Sequence, residues 1–252
     1  MRSAGFGDPV NDRCPRQVRA RLIDDREDRL NYDFNFAPVL ANYPRLLEGA
    51  WVTIQLSFGA MVAGLVVGLM GAIAKNAGPR PLRWLVDAYV EAIRNTPFII
   101  QIFFIFFGLP AIGLRFSPNV AALVALIINV GAYATEIIRA GIESINRGQV
   151  EAGIALGMKR AQIFRYVILR PALRTVYPAL TSQFIFLMLT TSVVSVISAS
   201  DLAAAGNDIN AETFASFEVY LVITVIYFIL SIGFSALFSA IERVAFSYPL
   251  SR

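Results

Sequence analysis

The sequence predicts an all-α integral membrane protein with five transmembrane helices, and three observations lead there. Only 16% of the 252 residues are charged while 56% are hydrophobic, where soluble domains carry about 25% charge. Mean hydropathy is +0.60. Five stretches, near 50–74, 84–110, 118–139, 176–198 and 217–241, are mostly apolar over the roughly 20 residues that a helix needs to cross a hydrocarbon layer about 30 Å thick.

Composition also closes off chemistries. Histidine is absent and Cys14 is the single cysteine. That removes Ser-His-Asp triads, most catalytic metal sites, an intrachain disulfide and a zinc site by cysteine spacing. No metal site is expected. The net charge of +4 reads as basic cytoplasmic loops rather than as a nucleic-acid surface.

Taken in order, residues 1–30 form a polar, Arg-rich tail with no apolar run of signal-peptide length. Composition changes abruptly at "LNYDFNFAPVLANYPRLLEGA". Two readings stand side by side: translation starting at Leu30, or a disordered extension. Residues 31–252 form the membrane domain.

The first span carries Ala60, Gly64, Gly68 and Ala72 four residues apart, a small-residue stripe that lets another helix approach closely. The second contains "RNTP". Pro97 lacks a backbone donor and obstructs the carbonyl of Ile93, so a kink is expected, with Asn95 and Thr96 offering local hydrogen bonds. Glu91 with Arg94, and Glu136 with Arg139, are spaced three apart and are expected to pair on one helix face. An unpaired charge at the bilayer centre costs about 3 kcal/mol. These pairs read either as a polar girdle around a gate or as snorkelling pairs at the membrane surface.

Span four, "VYPALTSQFIFLMLTTSVVSVIS", carries Gln183, Thr190, Thr191, Ser192, Ser195 and Ser198. Helical spacing puts Thr191, Ser195 and Ser198 on one face, and uncharged hydrogen-bonding groups suit a small-solute path. The competing reading has the hydroxyls bonding back to their own helix carbonyls.

Basic residues orient the spans. Lys75, Arg80 and Arg83 follow the first span, and Arg147, Lys159, Arg160, Arg165, Arg170 and Arg174 follow the third. The alternate side offers only Arg115, and "ASDLAAAGNDINAETFASFE" has none. The positive-inside bias therefore places the N-terminus outside and the C-terminus in the cytoplasm. The 140–175 loop is then cytoplasmic, with residues 146–172 reading as a short helical hairpin.

That loop is where a resemblance enters. "EAGIALGMKRAQIFRYVILRP" resembles the Glu-Ala-Ala loop of the membrane subunits of ATP-binding-cassette importers: Glu-Ala-Ala, three residues, Gly, nine residues, Ile-x-Leu-Pro. Glu151, Ala152 and Gly157 match; Gly153 replaces the third Ala, Val167 replaces Ile, Leu169 falls in place, and Arg170 takes the Pro position with Pro171 one residue on. "RNTPFIIQIFFIFFGLP", "GAYATEIIRAGIESINRGQVEAGIALG" and "LTTSVVSVI" are similar to the polar amino-acid branch of these permeases.

The resemblance implies a type I importer permease fold and a multi-pass subunit of the bacterial inner membrane, paired with a copy or a sister permease. It implies a cytoplasmic ATPase dimer that uses ATP-Mg, and a periplasmic amino-acid-binding protein. On this reading Glu151, Ala152, Gly153, Gly157, Lys159 and Arg160 couple to the ATPase, Gln183, Thr190, Thr191, Ser192, Ser195 and Asn95 line the substrate path, and the chain is itself neither an enzyme nor a cofactor carrier. Many relatives carry Lys-Asp where Leu189-Thr190 stands here, which leaves selection to the binding protein. A G-x-x-x-x-G-K-[ST] phosphate loop is absent, in keeping with a borrowed ATPase. The alternatives are a secondary transporter, which would be expected to show two related halves, and a channel-like pore subunit, which would need a selectivity ring. An intramembrane enzyme lacks a nucleophile–base set.

Overall fold

Helices built from apolar stretches this long must find their backbone partners internally, because lipid offers none. The computed structural model describes residues 34–245, so the expectations for the N-terminal tail lie outside the described residues. Ten α-helices follow in order: α1 (Ala37–Ala41), α2 (Tyr43–Ala77), α3 (Arg80–Arg94), α4 (Phe98–Phe103), α5 (Pro118–Glu143), α6 (Arg147–Ala155), α7 (Arg160–Gln162), α8 (Arg170–Thr190), α9 (Leu202–Thr213) and α10 (Ser216–Ala245). Wider π turns (Phe104–Gly108, Ile163–Leu169) and tighter 3-10 turns (Leu109–Ile112, Thr191–Ile197) extend α4, α7 and α8.

The first, third and fifth expected spans are α2, α5 and α10, each longer than its apolar run. The fourth is one helical line, Arg160–Ile197. Pro171 therefore opens no break. It sits in the first turn of α8, where its missing N–H costs least.

The second span differs from expectation. It is not one kinked helix over 84–110 but two, Arg80–Arg94 and Phe98–Ile112, bent by 110°. Pro97 lies at the break, and the polar groups freed there are taken up locally. Thr96 Oγ1 donates to Ala92 O at 2.7 Å. The obstructed Ile93 carbonyl accepts from Gln101 Nε2 at 2.8 Å. Asn129 Nδ2 of α5 then donates to Gln101 Oε1 at 3.0 Å, tying the break to the neighbouring helix.

The core is built on the crossing of α2 and α5. Ala60, Gly64, Gly68 and Ala72 are all buried along one side of α2. A Cβ on Gly64 would stand 1.9 Å from Val130 Cγ1, and one on Gly68 2.4 Å from Ala134 Cβ and 3.0 Å from Thr135 N. Around this seam Leu56, Ile102, Leu126, Val176, Phe184 and Leu187 close an apolar cluster. A second cluster gathers Val39, Leu46, Met188, Leu202, Ile209 and Val219.

The stretch expected as a plain loop after span four contains α9. Asp201 caps it, accepting from Ala204 N at 3.0 Å. Gly49 lets α2 come close, since a Cβ there would lie 2.9 Å from Asp201 O. α10 buries little of itself, and leaves Leu221, Phe228 and Ile232 exposed.

The seam makes a direct prediction. Gly68→Ala is expected to cost about 1–3 kcal/mol by overpacking against backbone that cannot retreat. Gly233→Ala, whose Cβ would meet nothing within 4 Å, is expected to cost nothing and to stabilise by up to about 1 kcal/mol through helix propensity. Thermal unfolding of the two variants in detergent separates them.

Candidate functional site

Three places gather the candidate residues, and each is set by how a helix ends. The first is α6. Asn146 caps its start, its side chain accepting from Gly148 N at 2.8 Å. Its end is a Schellman turn: Gly157 N donates to Ile154 O at 2.9 Å and Met158 N to Gly153 O at 3.1 Å. Gly157 stands at φ +71, the left-handed region that side-chain-bearing residues avoid. Gly153 is buried against Ile163, so the α6 backbone lies close on the following π turn.

The consequence is a short rigid helix with its outer face bare. Glu151 and Ala152 are exposed, as are Ile154 and Leu156, the latter 81% accessible. Lys159 and Arg160 are exposed just beyond the turn, where Lys159 N donates to Gln162 Oε1 at 2.8 Å.

The second place is a cavity of about 350 Å³ between the start of α2, the end of the span-four line and α9. Ser195 and Ser198 line it together with Arg45, Glu48, Asp201 and Asp208. Arg45 bonds Glu212 at 2.7 Å and approaches Asp208 at 3.9 Å. Arg45 escaped the sequence reading, although the acid-rich stretch after span four, with no cation of its own, was the signal for it.

The expected hydroxyl face is corrected. Thr191–Ile197 is a 3-10 segment, so the repeat is three residues, not 3.6. Thr191 falls with Val194 and Ile197 in the core, while Ser192, Ser195 and Ser198 are in register. Hydroxyls do bond back to their own chain: Thr190 to Phe186 O, Thr191 to Met188 O, Ser192 to Leu189 O and Ser195 to Ser192 O, all between 2.7 and 2.9 Å. Of the span-four candidates, Ser195 and Ser198 reach the cavity. Thr190, Thr191, Ser192 and the half-buried Gln183 do not line it.

The third place is a cavity of about 360 Å³ between α3 and α5, lined by Lys75, Asp87, Glu91, Arg94, Asn95 and Glu136 among others. The expected Glu136–Arg139 pair is present at 2.8 Å. Lys75 Nζ, unforeseen from sequence, bonds both Glu136 and Asp87, the latter at 2.7 Å. The Glu91–Arg94 pair does not form. Arg94 instead lies over the Tyr133 ring, 5.5 Å from its centroid, because α3 ends at that residue and turns its last side chain toward α5.

A bundle of four apolar helices plus one broken crossing, with polar cavities toward each end and a short exposed helix between two spans, defines a multi-pass membrane subunit built to conduct solute. Residues 60–245 match the family of binding-protein-dependent transport system inner membrane components, and the chain belongs to that family.

Known relatives agree. The chain is 37% identical over 212 residues to the glutamine transport system permease protein of Escherichia coli, covering 83% of this chain and 97% of the relative. It is 38% identical over 202 residues to the L-cystine transport system permease protein of Bacillus subtilis, covering 80% and 86%. It superposes with a TM-score of 0.78 and 36% identity on a chain from the crystal structure of an amino acid ABC transporter with histidines, covering 84% of this chain and 99% of that one. The chain thus has the ABC importer permease fold.

Asp201 supplies a test of the chemistry of the cavity it shares with Arg45. It is fully buried, and burial pushes its carboxyl from an ordinary 3.8 up to about 6, opposed by N–H groups of Ala204 and Ala203 and by the Tyr227 hydroxyl. The folded protein therefore holds this proton to higher pH than the unfolded chain. Its contribution to stability falls as pH rises from about 4 through 6, by at most about 3 kcal/mol. Asp201→Asn keeps the cap and is expected to flatten that slope in unfolding measurements between pH 4 and 7.

Proposed function

We propose that this chain is the membrane-spanning subunit of an ATP-driven importer of polar amino acids, engaging a cytoplasmic ATPase dimer through α6. The observation that carries the coupling is the bare outer face of α6, Glu151, Ala152, Ile154 and Leu156, on a helix locked by Gly157. An exposed apolar patch rimmed by charge is a protein-docking surface. Gly153 and Gly157 shape that helix, while Lys159 and Arg160 stand at its margin for acidic groups of the partner.

The names of the relatives, which read glutamine, L-cystine and arginine transport permease, support an amino-acid solute. Alternation of the spans groups Lys75, Arg80, Arg83, Arg147, Lys159 and Arg160 on one side, and the positive-inside bias supports reading that side as cytoplasmic. The residues before α2 then lie outside, where a periplasmic binding protein delivers its cargo beside the Arg45–Asp201 cavity. A second permease subunit, a copy or a relative, completes the path. Ser195 and Ser198 at the Arg45–Asp201 cavity, with Asn95 at the inner cavity, offer hydrogen-bonding groups along it.

The experiment is uptake into proteoliposomes containing permease, ATPase and binding protein. Accumulation is expected to require ATP, and accumulation driven by a Na⁺ or proton gradient without the ATPase would defeat the reading. Within that assay, Gly157→Arg is expected to leave the spans inserted but cut ATP-driven uptake about tenfold or more, equivalent to about 1.4 kcal/mol of lost coupling. Gly157→Asn, which tolerates positive φ better, is expected to be milder. Wild-type uptake together with wild-type co-purification of the ATPase in Gly157→Arg would refute the docking role of α6.

A further inference from the structure

The inner cavity holds an imbalance that the fold leaves open. Lys75 is neutralised by Asp87 and Glu136, and Arg139 by Glu136 and Glu143. Glu91 and Arg94 are the two charged residues lining it that have no ion-pair partner among the described residues. They sit three positions apart on the last turn of α3, yet do not neutralise each other, because Arg94 is held over Tyr133. The helix C-terminus favours the Arg94 cation and disfavours the Glu91 carboxylate, which a cationic ligand group would relieve.

Depth says what these charges face. α5 has 26 residues, about 39 Å of helix against a hydrocarbon layer of about 30 Å. Tyr133 precedes its last residue, Glu143, by ten positions, about 15 Å, so Arg94 is carried beneath the membrane surface. Both side chains are exposed there. Exposed charges at that level do not face lipid; they line a water-filled cavity.

A simple anion would answer Arg94 and leave Glu91 unmatched, and a simple cation the reverse. A ligand carrying both signs on adjacent atoms answers both. We propose that this cavity is a binding station for α-amino-acid zwitterions on the cytoplasmic half of the path, with Arg94 taking the carboxylate through its two-pronged guanidinium and Glu91 taking the ammonium. The inference rests on the amino-acid importer reading and extends it to a site. Each remaining charged lining residue is engaged in an ion pair, in a cluster of two cations and three carboxylates, so no unpaired charge is left for the solute's side chain. The station recognises the shared head group of the class, not one member of it.

The test is equilibrium binding of radiolabelled L-glutamine and L-arginine to the permease–ATPase complex in nanodiscs, without binding protein. Wild type is expected to bind, with the label displaced by the same amino acid but not by its N-acetyl or C-amide derivative. Arg94→Gln and Glu91→Gln are each expected to weaken binding about ten- to hundredfold, the loss of a charged hydrogen-bonded contact. Arg94→Lys is expected to fall between, and Gly233→Ala to bind as wild type. In Glu91→Gln the N-acetyl derivative is expected to lose its disadvantage, a change of preference that misfolding cannot produce. Should Arg94→Gln fail to fold, the exposed Glu91→Gln and the two derivatives decide the matter. Unaltered binding in both variants, or no binding at all while ATP-driven uptake persists, overturns the station and leaves the importer reading standing. Loss of ATP-driven uptake for every amino acid tried, in the wild-type system, overturns both.

Discussion

The approach of α2 to α5 is the constraint on which the described helices depend. In lipid, apolar side chains gain little by meeting one another, so association rests on close packing and on polar groups that find partners. Gly64 and Gly68 remove the atoms that would hold the two backbones apart. Once the helices are that close, Thr135 Oγ1 turns back to Gly131 O at 2.8 Å, and Lys75 reaches across to Glu136. The same amine spans to Asp87 of α3, so the crossing also places the helix that precedes the break in span two.

That break is stabilised because the carbonyls of Ala92, Ile93 and Thr96 all find side-chain donors. A proline alone would leave the Ile93 carbonyl bare in a medium where that costs several kcal/mol. Gln101 supplies the donor, and its own carbonyl oxygen is satisfied by Asn129. Tyr89 adds a further tie, its hydroxyl donating to Ile128 O at 2.6 Å. Buried polar side chains here serve the backbone and hold a 110° turn against α5. The cavity between α3 and α5 adjoins that turn, which is why Glu91 and Arg94 emerge into open space instead of packing along a continuous helix.

The two faces of the chain are organised differently. At α6 a left-handed glycine and a capping asparagine make a rigid knob whose outer side chains touch nothing else in the chain's described core. At the opposite end α9 folds back under Asp201, and Tyr227 of α10 donates to Asp201 Oδ2 at 3.2 Å. The first arrangement leaves a surface bare; the second closes one around a cavity.

By itself the sequence determined the all-helical membrane class, the positions of four spans to within a turn or two at their apolar centres, the basic side of the chain and the glycine-punctuated loop. Each is a property of composition and spacing along the chain, and lipid reads composition directly. The Glu136–Arg139 pair was legible for the same reason, since one helix supplies both partners. Tertiary structure alone decided what depends on neighbours: that Lys75 joins Asp87 to Glu136, that Gln101 mends the break, and that Arg94 prefers Tyr133 to Glu91. It also decided that Thr191 belongs to the core, because a 3-10 repeat replaced the α-helical one where the line meets α5 and α9. Local periodicity cannot foresee which repeat a helix end adopts, for that choice is made by the packing against it.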